Sequence, residues 1–178
     1  MQLFSNDLGV DLGTSNVLIY VDGKGVVLRE PSVVAVDKNT GKILQVGAAA
    51  RNMLGRTPGN VVAMHPLKDG VISDHEMTVR MLQALFREAT KSSIFTPKPR
   101  VVICVPSGVT EVEERSVINA AIEAGARRVY LIEEPLAAAL GAGLDIKGAN
   151  GHMVVDIGGG TTDVAVLSLN GVAAYSSL

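Results

Sequence analysis

Short apolar runs separated by turn residues open the chain. Residues 17–21 form one run, Asp22-Gly23 follows it, and residues 26–28 form the next run. An Asp-Gly pair between two apolar runs predicts a β-hairpin, because the turn requires positive φ at its centre. Residues 33–46 repeat this pattern around a polar centre, and they predict a second hairpin.

From Ser73 onward the apolar spacing changes to that of an amphipathic helix. Ser73 and Asp74 supply a cap, and apolar residues then recur every three or four positions, at Met77, Met81, Leu82, Leu85, Phe86 and Ala89. Thr110 and Glu113 have the spacing of a capping box, which predicts a second helix that closes at Gly125.

Apolar runs at 100–105 and 129–132 flank this second helix. A strand, a helix and a strand within so short a segment predict a right-handed parallel βαβ unit. Pro135 suits the first turn of a further helix, which is rich in Ala and Gly. The polar segment 146–151 precedes a closing hairpin and predicts a domain boundary. The order of elements therefore predicts an α/β fold.

Composition excludes several classes of protein. Lys and Arg together number 16 and Asp and Glu number 18, which gives a net charge of −2 and predicts no nucleic-acid surface. The mean hydropathy is +0.31, yet no apolar run approaches the ~20 residues that a membrane span needs. The first residues lack the features of a secretory signal, so we expect a cytoplasmic location. The single cysteine, Cys104, cannot form an internal disulfide, and its apolar strand predicts an inert packing role.

One structural unit occurs twice. The stretch VDLGT begins at Val10 and VDIGG begins at Val155, so that a constant offset of 145 residues relates Asp11 to Asp156. After each loop the residues alternate as a strand, and each strand ends in Asp-Gly or Asn-Gly. A dinucleotide fingerprint or a Walker loop requires a helix directly after the glycines, which neither copy supplies.

The remaining interpretation is a pair of phosphate-binding hairpins. Their turns would present backbone N–H groups and Thr or Ser hydroxyls to a polyanion, and glycine would allow close approach. Two such hairpins facing each other could grip one phosphate chain, with the aspartate of each holding a hydrated Mg²⁺. The alternative is two Gly-rich turns without a ligand, which the repetition of the aspartate and the hydroxyls argues against.

The stretches DLGTSN and DIGGGTTD resemble the two phosphate loops of the actin-like ATPases. Four more stretches narrow the resemblance to the MreB family of filament-forming bacterial cell-shape proteins: EPSVVAVD, KPRVVICVPSGVTEVEERSVI, IEEPLAAALGAGL and MVVDIGGGTTDVAVLSLNG. The resemblance implies an actin-like (ribonuclease-H-like) first lobe made of 1–32 and 73–147. It also implies a small α/β subdomain at 33–72 and the opening hairpin of a second lobe at 148–178.

The resemblance also implies site residues. Asp11 and Asp156 match the positions that hold Mg²⁺ through water, and Glu134 and Thr161 match the catalytic pair that positions water near the γ-phosphate. The positions that match the nucleotide-binding loops are Gly13, Thr14, Ser15, Asn16, Gly158, Gly159, Gly160, Thr161 and Thr162. For Glu134 a role as a helix N-terminal carboxylate is the alternative, and Glu133 should face the other way along the strand.

The implied function is that of an ATP-binding, filament-forming cytoskeletal protein that maintains cell shape by organising wall synthesis at the membrane. Its implied partners are copies of itself, cell-shape and wall-synthesis proteins, and the inner face of the cell membrane. Ile94 and Phe95 stand beside Lys91, Lys98 and Arg100, where two apolar side chains could enter an anionic interface. They could equally tuck under the loop as part of the core.

The resemblance further implies a longer chain than the one that ends at Leu178. We therefore expect this chain to be truncated, to lack the segments that contact the base and sugar, and to expose an apolar interface. ATPase activity of the isolated chain is expected to be weak or absent. The alternative function is a structural or interaction module that keeps the fold without hydrolysing ATP.

Overall fold

The computed structural model describes residues 7–56, 59–91 and 97–178, and it has a mixed α/β architecture. A five-stranded sheet in the order β10-β9-β1-β2-β3 forms the centre. Strands β10, β9 and β1 are parallel, and β1, β2 and β3 are antiparallel. Their bounds are β1 Leu8–Leu12, β2 Asn16–Val21, β3 Gly25–Pro31, β9 Arg100–Val105 and β10 Arg128–Glu133. The α/β fold, the first hairpin and the βαβ unit are confirmed.

Two helices cover one face of this first sheet. Helix α2 (His75–Thr90) begins at the Asp74 cap, whose carboxylate accepts from the Met77 amide. Helix α3 (Glu111–Glu123) begins at the predicted capping box. The core between the helices and the sheet contains the side chains that alternate toward that face, including Val10, Val17, Ile19, Val101, Ile103, Leu82 and Leu85. The alternation of apolar residues along the strands therefore indicates which face of the sheet the helices bury.

A smaller sheet lies beyond β3. It has the order β5-β4-β6, with β4 at Val34–Asp37, β5 at Ile43–Val46 and β6 at Val61–Met64. The predicted hairpin of β4 and β5 is confirmed. The sequence did not predict β6, the four-residue helix α1 (Ala48–Arg51), or the short pair β7 (Leu67–Lys68) and β8 (Val71–Ile72). Segments this short carry too few residues to show a period.

The third sheet is an antiparallel meander of β11 (His152–Ile157), β12 (Thr162–Ser168) and β13 (Gly171–Ser177). Helix α4 (Glu134–Gly141) packs on it, and Ala139, Ala165 and Leu167 are fully buried there. The two copies of the repeated unit bury opposite faces of the strand that follows the loop, β2 in the first copy and β12 in the second. In β2 the residues Val17 and Ile19 are buried, whereas the corresponding positions of β12 lie on its less buried face.

Helix α4 lies between the first and third sheets. It contacts β9 and β10 on one side and β11 and β12 on the other. Helices α2 and α3 cover one face of the first sheet. Helix α4 therefore packs on the opposite face, which is the face toward the third sheet. This placement explains why the two copies of the repeat bury opposite faces.

Parts of both sheets carry apolar side chains that stay exposed. On the face of the first sheet opposite α2 and α3, the exposed apolar residues are Tyr20, Val102 and Tyr130. On the face of β11 opposite α4, they are Met153, Val155 and Ile157. No helix within the described ranges is long and apolar enough to span a membrane. The division into domains at 33–72 and 148–178 stays a prediction.

Candidate functional site

The two predicted phosphate loops have the same backbone hydrogen bond. In the first loop the Gly13 amide donates to the Asn16 carbonyl at 3.1 Å, and in the second the Gly158 amide donates to the Thr161 carbonyl at 2.9 Å. These bonds join residues with the offset of 145 that the sequence shows. Each loop is thus a four-residue turn between antiparallel strands, β1 to β2 and β11 to β12.

The tips of the two loops touch each other. A Cβ added at Gly159 would collide with the hydroxyl of Ser15, and one added at Gly160 would lie 2.9 Å from the Thr14 hydroxyl. A side chain at either glycine would therefore push the loops apart. This close approach is the physical reason for glycine at positions 159 and 160.

Two contacts that the sequence did not predict hold the first loop. Ser32, which is fully buried, donates its hydroxyl to the Gly13 carbonyl at 2.6 Å, and its amide donates to the Ser15 carbonyl at 3.0 Å. The Gly70 amide donates to the Thr14 hydroxyl at 2.9 Å. A Pro-Ser pair directly before a valine run was the available signal for Ser32, and an Asp-Gly turn was the signal for Gly70.

Four carboxylates converge beside the loops. Asp11 and Asp156 are each the second-to-last residue of the strand that enters a loop, and Glu134 begins α4. Asp163 lies directly opposite Asp156 in the β11–β12 ladder. It is 3% exposed, and its Oδ1 is the one buried side-chain polar atom in the described part of the chain that lacks a hydrogen-bond partner. An unpaired buried acceptor is costly, so the site favours a donor or a cation at this position.

Burial and mutual repulsion set the protonation of the site. Burial, followed by the charges of Asp11, Asp163 and Asp156, raises the pKa of Glu134 to about 7. Burial and the charge of Asp156 raise the pKa of Asp11, although the Asp11 side chain still meets solvent on its cleft side. Both effects disfavour the ionised carboxylate.

Cys104 also lines the cleft and is only partly buried, which differs from the fully packed position that its strand predicted. Burial and three nearby carboxylates raise the pKa of its thiol to about 12. A raised pKa favours the neutral thiol, which is a poor nucleophile; the inert role of Cys104 stays a prediction.

These groups line one cleft of about 370 Å³ between the first and third sheets. The cleft brings together nearly all of the predicted site residues: Asp11, Gly13, Thr14, Ser15, Asn16, Glu134, Asp156, Gly158, Gly159, Gly160 and Thr161. Thr162 lies just outside it and exchanges backbone hydrogen bonds with Leu178. Ile94 and Phe95, the predicted membrane contacts, lie outside the described residues.

The donor set fits a hydrated cation better than a directly bound one. Across 7–56, 59–91 and 97–178, no group of three or more His, Cys, Asp or Glu side chains is placed to hold an ion directly. Asp11 and Asp156 are nevertheless close enough for their charges to repel. Carboxylates spaced in this way can contact Mg²⁺ through the waters that it retains.

The sequence matches the family model described as MreB/Mbl protein over residues 5–178. The chain belongs to the MreB/Mbl family. It is 55% identical over 176 residues to the cell shape-determining protein Mbl of Bacillus cereus, covering 99% of this chain and 53% of that protein. It is 56% identical over 180 residues to the cell shape-determining protein MreB of Escherichia coli K12, covering 99% of this chain and 52% of that protein. The chain thus spans about half the length of these curated relatives.

Solved structures of MreB5 and MamK have the same fold as this chain. MreB5 of Spiroplasma citri bound to ADP superimposes with a TM-score of 0.86 at 42% identity, covering 96% of this chain and 51% of that one. The same protein bound to AMPPNP gives 0.85 at 40% identity, with coverages of 99% and 53%. The MamK double helical filament gives 0.78 at 25% identity, with coverages of 96% and 53%. The actin-like fold is confirmed.

The raised pKa of Glu134 predicts a pH-dependent stability of the metal-free chain. The folded state holds the Glu134 proton up to about pH 7, whereas the unfolded state releases it near pH ~4.5. This stabilisation is complete below the lower pKa and is lost as pH rises through the higher one. We expect the unfolding free energy of the parent, relative to Glu134→Gln, to fall by about 1–2 kcal/mol between pH ~5 and ~8 in urea titrations.

Glu113→Gln is the matched control for this measurement. The Thr110 amide and hydroxyl hold the pKa of Glu113 below its usual range, so that its carboxylate stays ionised across the same pH window. An equal pH dependence in the parent and in Glu134→Gln would contradict the assignment.

Proposed function

We propose that this chain binds ATP with Mg²⁺ and is part of a filament-forming, cell shape-determining cytoskeletal protein. The observation that carries the proposal is the pair of matching glycine turns that face each other across a cleft lined by carboxylates. MreB5 of Spiroplasma citri, which has the same fold, was crystallised with ADP and with AMPPNP. A phosphate chain between the turns would receive donors from both sheets.

The loops supply the binding groups for phosphate. Their backbone amides and the hydroxyls of Thr14, Ser15 and Thr161 line the cleft and form a concave set of donors for anionic oxygens. The Gly70 amide donates to the oxygen of the Thr14 hydroxyl. The hydroxyl proton is therefore free to donate to phosphate. Asp11 and Asp156 would hold the hydrated Mg²⁺, which when bound offsets negative charge on the phosphate oxygens.

Glu134 would orient the attacking water, together with Thr161. Both side chains line the same cleft as the phosphate loops, and an ionised carboxylate in this position can accept a proton from water. The raised pKa of Glu134 means that a nearby cation, by favouring the charged form, would switch on this acceptor. Hydrolysis then depends on positioning water in line with the terminal phosphate.

Self-association into filaments is the proposed assembly, and shaping the cell by organising wall synthesis is the proposed role. The relatives are named cell shape-determining proteins, and MamK, which has the same fold, forms a double helical filament. Copies of this protein and cell-shape or wall-synthesis proteins are therefore the proposed partners.

The proposed location is cytoplasmic, at the inner face of the cell membrane. Arg100, Arg127 and Arg128 line a surface groove at the N-terminal ends of β9 and β10. The carboxylate cleft lies at the opposite ends of these parallel strands. Arg100 is paired with the Asp7 carboxylate, so Arg127 and Arg128 supply the basic character of this edge. A basic edge suits an anionic lipid surface, and Ile94 and Phe95 precede Arg100 by only a few residues in the sequence.

Removing either metal-site carboxylate should abolish Mg²⁺-dependent nucleotide binding. We expect Asp11→Ala and Asp156→Ala each to weaken AMPPNP binding at least tenfold in calorimetry with Mg²⁺, because the remaining carboxylate cannot hold the ion alone. In EDTA the parent and both variants should bind equally weakly. Unchanged Mg²⁺-dependent affinity in both variants would overturn the paired-loop assignment.

Gly70→Ala should weaken AMPPNP binding by about three- to tenfold, because it disturbs the amide that orients the Thr14 hydroxyl. An added Cβ would lie 2.9 Å from the Pro106 ring and 3.3 Å from the Thr161 methyl group. Gly23→Ala is the matched control, since Gly23 also follows an Asp in a hairpin turn and has a φ of 75° against 77° for Gly70, with no atom near its Cβ position. Equal losses of affinity in the two variants would remove Gly70 from the site.

The membrane proposal predicts that an Ile94→Ser, Phe95→Ser double variant loses co-sedimentation with anionic liposomes. Leu169→Ser, which replaces a residue that is 68% exposed in the turn between β12 and β13, should pellet as the parent does. Vesicles made of zwitterionic lipid should pellet less of the parent, because the arginine groove has no charge to meet. Full pelleting of the double variant would refute the membrane contact.

A further inference from the structure

Two adjacent glutamates at the end of β10 have different surroundings. Glu134 lines the cleft, whereas the Glu133 carboxylate accepts a hydrogen bond from the Ser107 hydroxyl at 2.7 Å. Glu133 ends β10 and Glu134 begins α4, so the backbone changes direction between them and their side chains diverge. The proposed chemistry uses Glu134 and leaves Glu133 and Ser107 without a role.

Nothing in the described ranges hydrogen-bonds to the Glu134 carboxylate. Its position is therefore set by its own backbone, at the junction where β10 ends and α4 begins. Glu133 is the N-cap residue of α4 and has an extended conformation (φ −66°, ψ 135°), but its side chain does not cap the helix. That side chain turns instead to Ser107, in the loop between β9 and α3.

Ser107 is a rigid anchor for this bond. It is 4% exposed, and it lies between Pro106, which is also buried, and Gly108. The Pro106 ring approaches Gly70, which orients Thr14, and the ring of Tyr175 on β13 packs over Gly108. The loop is thus in contact with the first phosphate site and with the third sheet, while its serine holds the junction.

We propose that Ser107 and Glu133 are positioning residues that fix the β10–α4 junction, and thereby the Glu134 carboxylate, relative to the phosphate loops. This inference rests on the proposed hydrolysis of ATP. A buried hydroxyl that donates to a carboxylate forms a charge-assisted bond, which is stronger than a neutral one. Losing it releases the backbone that carries Glu134, and a displacement of about 1 Å is enough to slow a positioned reaction ~100-fold.

The first test needs no nucleotide. Hydrogen exchange is followed by mass spectrometry on peptides that cover residues 130–140 of the intact chain. Ser107→Ala should raise exchange there at least threefold, because the end of β10 and the first turn of α4 lose their anchor. Thr110→Ala is the matched control: it removes the bond of 2.8 Å between the Thr110 hydroxyl and the Glu113 carboxylate in the same loop, away from the junction. Equal exchange in the two variants would overturn the proposal.

The second test separates positioning from binding. Ser107→Ala and Glu133→Leu should each lower the rate of ATP turnover about tenfold while changing AMPPNP affinity less than twofold. Glu133→Gln should restore most of the rate, because its amide oxygen still accepts from Ser107. The double variant Ser107→Ala, Glu133→Leu should be no slower than either single variant, since both remove the same bond.

The outcomes distinguish the two proposals. A parent that shows no turnover sensitive to Glu134→Gln would refute the proposed hydrolysis and this inference with it. A parent that shows such turnover, while Ser107→Ala and Glu133→Leu match it in rate, would refute the positioning role alone. Loss of rate in Glu133→Gln as large as in Glu133→Leu would also overturn it, since the hydrogen bond would then not be the cause.

Discussion

The close contact of the two glycine turns is the constraint on which the rest of the site depends. Ser15 and Thr14 occupy the space that side chains at Gly159 and Gly160 would need. Because the tips meet, the strands behind them converge, and the aspartates near the ends of those strands face one another. A phosphate site with donors from two sheets can exist only where the backbones come this close.

The same convergence creates an electrostatic cost. Asp11, Asp156 and Glu134 line one cleft and Asp163 is buried beside it, and the pKa of Glu134 is raised to about 7 by burial and by the other three. The metal-free protein relieves this repulsion by holding a proton, whereas a hydrated cation would relieve it by direct attraction. The carboxylates that lower the stability of the metal-free protein are thus the same groups that would attract a cation. Such an arrangement is common where charged groups are placed for function.

Helix α4 links the carboxylate-lined cleft to the fold. Its first residue is Glu134, its small side chains Ala137 and Ala138 line the cleft, and Ala139 is buried against the third sheet. Alanine lets the helix lie close to both sheets at once. The hydrogen bond from Ser107 to Glu133 joins the beginning of this helix to the loop between β9 and α3. The β10–α4 junction therefore affects both the position of Glu134 in the cleft and the packing of α4 on the third sheet.

The sequence alone determined the elements whose signals are local. Turn pairs such as Asp22-Gly23, the Thr110 capping box and the helical spacing after Asp74 act through neighbouring residues, and each predicted element is present. The repeat of Asp11 at Asp156 located both turns of the site. Short elements such as β6 and α1 escaped prediction, because four residues do not show a period.

Only the tertiary structure decided which residues meet. The contacts from Gly70 to Thr14, from Ser32 to Gly13 and from Ser107 to Glu133 join positions 56, 19 and 26 residues apart. The reversed burial of the two repeats likewise depends on where α4 packs. Such contacts have no local signal, since the free energy that selects them comes from packing whole elements against each other rather than from the preferences of adjacent residues.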